Sequence, residues 1–169
     1  MKRGGEAPEP TPDGATVVTE GEFAGWRTWP RAVFETNSGP FYYRQEPDGR
    51  IRCAFRPAKE HMNGMESIDG GCLMTFADFS LFAFASRELG TVPAVTISFN
   101  ADFIEAAREG ELIEAEGEVV RAGRSLIFLR GTLRGHDRPL MTYSGLVKRA
   151  WPTDGQTPSH PADAAPGHA

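Results

Sequence analysis

Residues 71–88, GCLMTFADFSLFAFASRE, constrain this chain more than any other segment. Leu73, Phe76, Ala77, Ser80, Leu81 and Phe84 fall at helical spacing, which predicts a long helix. Gly90 follows in the position where a helix end favours a left-handed residue. Met74, Phe79, Phe82 and Ala83 make most of the other face apolar as well. A helix apolar nearly all round must be enclosed by protein, so the rest of the chain has to wrap it. It is no membrane span, because the apolar stretch from Gly70 to Ser86 is 17 residues and contains Asp78.

The wrapping material is β-strand. Ahead of the helix come Phe41–Gln45 and Ile51–Phe55, separated by a turn containing Pro47, Asp48 and Gly49. A short helical or irregular opening is expected around Glu22–Pro30, and a loop over 58–70. Four strand-like runs follow the helix, roughly Val92–Ile104, Glu111–Arg121, Ser125–Leu133 and Pro139–Lys148, with turn residues in the short breaks. Short connections favour antiparallel neighbours. The expected class is α+β, an antiparallel sheet around one long central helix. Its uncovered edges and outer face call for oligomerisation.

Charge and proline separate this middle from both ends. The net charge is −5, of which residues 1–20 and 151–169 carry −4 (two basic and six acidic groups), leaving −1 for 21–150. Seven of the 13 prolines lie in the same two segments, which are therefore expected to be disordered tails. Residues 21–150 suffice for one domain and exclude separate cofactor and substrate domains. A nearly balanced middle excludes a broad nucleic-acid or anionic-membrane surface. The polar, proline-spaced N-terminus argues against a secretory signal and for a cytoplasmic protein.

The junction of loop and helix carries the chemistry. His61-Met62-Asn63-Gly64 leads through Ser67-Ile68-Asp69 to Gly70-Gly71, where unblocked backbone N–H groups can receive a carbonyl oxygen gaining negative charge. Asp78 would be costly to bury unpaired; it is either a hydrogen-bonded buried aspartate or a carboxylate base or nucleophile in an apolar pocket. Cys72 reads as a small buried residue, and His61 as a loop-orienting side chain. No zinc-ligand spacing exists. Arg121, Gly123, Arg124 and Ser125 surround a turn between strands, as ordinary solvated charge or as contacts to phosphates.

The pattern H-x-N-G-x(4)-D-G-G-x-L-x-T-x-A-D from His61 to Asp78 resembles the hotdog-fold acyl-CoA thioesterases of the phenylacetate-degradation (PaaI-like) type. The resemblance extends over about residues 40–149. It implies a hotdog fold and an acyl-CoA substrate, with coenzyme A entering as part of that substrate and no separate cofactor or metal. It further implies that Asp78 is the general base or nucleophile and that Gly70 donates its N–H to the thioester carbonyl. Asn63 would place the water or the carbonyl, and Thr96 would assist the water. Asp69, Gly71, His61, Arg121, Gly123, Arg124 and Ser125 are the implied substrate-binding residues. Active sites are expected at the interface of a homodimer, or of a homotetramer built from it. Where the family usually has His before Gly-Gly, this chain has Asp69. An ionised carboxylate cannot donate a hydrogen bond to the carbonyl, and capping the helix is the role it suits. That departure keeps open a non-catalytic acyl-CoA binding protein. A hotdog hydratase or dehydratase is the other alternative, although no histidine–acid pair of that kind is evident.

Overall fold

The central helix and its sheet are both present in the computed structural model, which describes residues 14–150. Helix α2 spans Gly70–Phe84. It is preceded by β1 (Thr16–Val17), β2 (Arg27–Thr28), α1 (Val33–Ser38), β3 (Tyr42–Gln45) and β4 (Ile51–Phe55). It is followed by α3 (Ser86–Leu89), β5 (Ala94–Phe103), β6 (Ile113–Ala122), β7 (Leu126–Gly135) and β8 (Arg138–Arg149). The strands form one antiparallel sheet in the order β1-β2-β3-β4-β6-β7-β8-β5. Because β4 pairs with β6, the helix and β5 leave the sheet and return at its far edge beside β8. The sheet closes around α2, which packs on β4 through β8.

Side-chain size explains how closely helix and sheet approach. Leu73, Phe76, Phe79, Leu81 and Phe84 of α2 are buried against Phe41, Phe55, Ile113, Ile127 and Leu129. A Cβ on Gly117 of β6 would lie 2.3 Å from the Phe84 ring and 2.5 Å from the Arg130 carbonyl oxygen. On Gly145 of β8 it would lie 2.4 Å from Leu81. Only glycine lets the large helix side chains seat on the sheet at those two points. The other face of β6 is polar. Glu114, Glu116 and Glu118 pair with Arg52, Arg134 and Arg130, and the register with β7 shifts at a bulge between Val119 and Arg121.

Three details differ from expectation. The long helix stops at Phe84, and Ala85 (φ −85°, ψ 1°) starts a separate turn, α3, closed by Gly90 at φ +55°. Residues 22–30 form the turn and return strand of a small hairpin, with Gly25 donating to Val18 and Val18 to Trp26; the short helix comes later, as α1. The expected N-terminal tail of residues 1–20 is also too long. Ala15 is fully buried and Thr16–Val17 pairs with β2, so ordered chain extends back at least to residue 14. Residues 1–13 and the other expected tail, 151–169, lie outside the described residues. Among the described residues no helix is long and apolar enough to cross a membrane.

Candidate active site

The loop before α2 is built from its own polar groups. The Asn63 carboxamide oxygen accepts from the Met65 N–H at 2.8 Å and from the Ser67 hydroxyl at 3.2 Å. Its amide nitrogen meets the same hydroxyl at 3.0 Å. His61 is buried, with Nδ1 accepting from the Ala58 N–H at 2.8 Å. That bond fixes the proton on Nε2, which donates to the Gly39 carbonyl at 3.1 Å. Both ring nitrogens are thus occupied by backbone. His61 thereby ties the loop to the segment after α1.

At the helix start, the Asp69 carboxylate accepts from the Gly71 N–H at 2.8 Å, which makes Asp69 the N-cap. The Gly71 N–H is therefore already used. The Gly70 N–H makes no hydrogen bond among the described residues. A Cβ on Gly70 would stand 3.3 Å from the Phe103 ring, so β5 closes on the helix start where a donor is left free. The Cys72 thiol, pushed up to about 11 by burial and by the Asp69 charge, is held as a neutral thiol against the Ser38 carbonyl.

Asp78 lies two turns further along α2. It is half-buried, and the Thr96 hydroxyl of β5 donates to its Oδ1 at 2.6 Å. Burial raises the Asp78 carboxyl above the ordinary range, and the Thr96 hydrogen bond opposes that rise. The structure thus joins Asp78 to Thr96 and Asp69 to the helix start, while the Asn63 side chain bonds within its own loop. It does not bring these two groups together within one chain. Eight residues separate Gly70 from Asp78, about 12 Å along the helix axis.

Two residues near these groups were not anticipated. Glu35 of α1 lines a cavity of about 500 Å³ whose walls include Phe82, one turn past Asp78, and Ala94, two residues before Thr96. Burial and the Asp78 charge push the Glu35 carboxyl up to about 7. Nothing in the sequence around Val33–Ser38 marks it. Arg149 is 3% exposed and holds the turn between β6 and β7 from inside. Its guanidinium donates to the Gly123 carbonyl, to that of Arg124 at 3.2 Å and to that of Glu88 at 2.7 Å. A signal for Arg149 did exist: it shares the parity of Met141, Tyr143, Gly145 and Val147, all inward. Arg121, Gly123, Arg124 and Ser125 themselves are exposed.

Comparisons with known proteins agree with this architecture. A family model described as "Thioesterase superfamily" matches residues 67–142. A Pseudomonas aeruginosa protein named "Putative esterase PA0474" is 31% identical over 109 residues, covering 64% of this chain and 81% of that protein. Human acyl-coenzyme A thioesterase 13 is 28% identical over 96 residues, covering 56% of this chain and 68% of the relative. Among solved structures, the E. coli PaaI protein from the phenylacetic acid degradation operon superposes with a TM-score of 0.61 at 18% identity, covering 72% of this chain and 86% of that one. With its sheet wrapped around α2 and its Gly-Gly helix start, the chain belongs to the thioesterase superfamily and has the PaaI-like hotdog fold.

Proposed function

We propose that this protein hydrolyses acyl-CoA thioesters, with Asp78 as the general base or nucleophile. The observation that carries the reading is the Asp78 carboxylate. It is the one charge in an apolar helix, half-buried and held by the Thr96 hydroxyl at 2.6 Å. Acyl-coenzyme A thioesterase activity, named for the human relative, is the chemistry this arrangement suits.

The site spans two copies of the chain. A reacting carbonyl needs its oxyanion donor and its base each within about 3 Å. The separation of about 12 Å along α2 prevents one chain from supplying both the Gly70 N–H and Asp78. The free edge of β5, with Val95 and Ile97 half exposed, is where a second copy adds its own β5. One subunit then offers the Gly70 N–H and the Asn63 loop, the other Asp78 and Thr96. Asp78 takes a proton from water as the water oxygen bonds to the thioester carbon, and the carbonyl oxygen becomes negative against the Gly70 N–H. Collapse breaks the carbon–sulfur bond, and coenzyme A leaves as thiolate, taking up the proton held by Asp78. In the nucleophilic variant, an Asp78 carboxylate oxygen bonds to the thioester carbon and the carbon–sulfur bond breaks, expelling coenzyme A as thiolate; water then cleaves the resulting anhydride, releasing the acid and restoring Asp78. The turn carrying Arg121, Gly123, Arg124 and Ser125 receives the phosphates of coenzyme A.

Thiol release from short-, medium- and long-chain and aryl acyl-CoAs tests the reading. Wild-type protein turns over at least one of them, and Asp78→Asn lowers its kcat about 10²- to 10⁴-fold. Binding without turnover of every substrate would instead assign the protein to acyl-CoA binding. The Asp69 charge beside the free Gly70 N–H is the observation that favours this second reading.

A further inference from the structure

Glu35 belongs to none of the roles above, yet it occupies the cavity beside Asp78. It stands on α1, which packs on α2. The walls of the cavity it lines combine apolar Phe82, Leu89, Val92 and Ala94 with the hydroxyl residues Ser86 and Thr91. No hydrogen bond or ion pair holds its carboxyl among the described residues. A half-buried, unpartnered carboxyl is costly to ionise against such walls, and the neighbouring Asp78 carboxylate adds to that cost. From α2, Asp78 is the charged group that acts on it. From α3, Arg87 and Glu88 line a different pocket, and β5 brings Thr96, which carries no charge.

We propose that Glu35 is a proton-linked specificity residue of this cavity: its neutral carboxyl completes the wall that receives an apolar acyl group, and its ionised carboxylate turns such a group away. The inference rests on the acyl-CoA reading above, with the acyl group entering past Asp78. An apolar group displaces water from around Glu35, so ionised Glu35 loses hydration that nothing replaces. The neutral carboxyl loses far less. Acyl binding therefore takes up a proton as pH rises through about 7, the range in which Glu35 titrates.

The test compares S-hexyl-CoA, a thioether that cannot be hydrolysed, with free coenzyme A as ligands of the full-length protein. Taking the ratio of the two affinities cancels the titration of the coenzyme's own phosphates. In wild type the advantage of S-hexyl-CoA falls about tenfold between pH 6 and pH 8. In Glu35→Gln it stays flat, and Glu35→Ala provides the same readout should the glutamine variant fold poorly. In Asp78→Asn the fall persists with its midpoint at lower pH, because the charge acting on Glu35 is gone. A flat wild-type ratio, an unchanged slope in Glu35→Gln, or no S-hexyl-CoA binding at any pH would overturn the proposal. Hexanoyl-CoA turnover is measured in parallel. Its absence with the pH-linked binding intact refutes hydrolysis and supports the role of Glu35.

Discussion

The Thr96 hydroxyl donates a 2.6 Å hydrogen bond to Oδ1 of Asp78, tying the edge strand β5 to the central helix at the proposed catalytic carboxylate. Burial raises the Asp78 carboxyl, and this bond is what restrains it. Thr96→Val keeps the shape and removes the donor. The carboxylate is then harder to form, so the acidic limb of the kcat/KM profile moves to higher pH, by about one pH unit for a bond to a charged group. A pH–rate series from pH 5 to 8 on both proteins measures the displacement. A profile that stays in place would show that Thr96 does not tune Asp78.

Asp69 places a negative charge next to the Gly70 N–H while capping α2 through Gly71. Asp69→Asn retains a capping oxygen and removes the charge. Its thermal stability stays close to wild type, and its kcat rises several-fold, on the order of 1 kcal/mol of relieved repulsion towards the oxyanion. Asp69→His also removes the charge and adds a donor, but it loses the cap and about 1 kcal/mol of stability. Steady-state kinetics with thermal melts separates the two effects. Unchanged or slower turnover in both variants would show that Asp69 serves the reaction in its own right.

Arg149 supports the β6–β7 turn through the carbonyls of Gly123 and Arg124 and anchors it to α3 through Glu88. Arg149→Met removes the buried guanidinium and leaves those part-buried carbonyls without their donor, which costs about 2 kcal/mol of stability. If the turn receives coenzyme A phosphates, KM for acyl-CoA rises more than kcat falls. Urea unfolding and a KM-against-kcat comparison at one pH read the two consequences separately. A KM equal to wild type would remove the turn from the binding site.

Glu35 also makes stability depend on pH in a defined direction. Its carboxyl is raised from 4.5 to about 7 in the folded protein, so the folded state holds the proton more tightly. The stabilisation is complete below the unfolded value and is lost as pH rises through about 7. Asp78, also raised by burial, acts in the same direction. Glu35→Gln should therefore flatten the decline between pH 4.5 and pH 8. Relative to wild type it gains about 1–3 kcal/mol across that range, discounted for the partial exposure of the side chain. Denaturant unfolding at the two ends of the range gives the difference directly. Parallel declines in both proteins would show that Glu35 ionises freely.

Local chemistry was enough to identify much of this protein. An apolar run with one aspartate required a helix enclosed by sheet, and the spacing of Asn63, Gly70 and Asp78 carried the family resemblance. The strand-like runs and the turn residues between them marked β6, β7 and β8. These features are readable because each depends on residues a few positions apart, repeating at the period of a helix or a strand. The break at Ala85 and the pairing of Thr16–Val17 left no such period.

Only the tertiary structure decided which distant groups meet. Thr96 reaches Asp78 because β5 returns to the far edge of the sheet, and Glu35 comes within range of the Asp78 charge because α1 packs on α2. Arg149 lay on an inward parity, but the carbonyls it satisfies come from two different elements. The free Gly70 N–H and Asp78 share one helix, yet its rigid rise keeps them about 12 Å apart. The sequence therefore marked Asn63, Gly70 and Asp78 as the groups proposed to carry the chemistry. The packing of helix and sheet decided their separation, and that separation is the physical reason the site is proposed to span two copies.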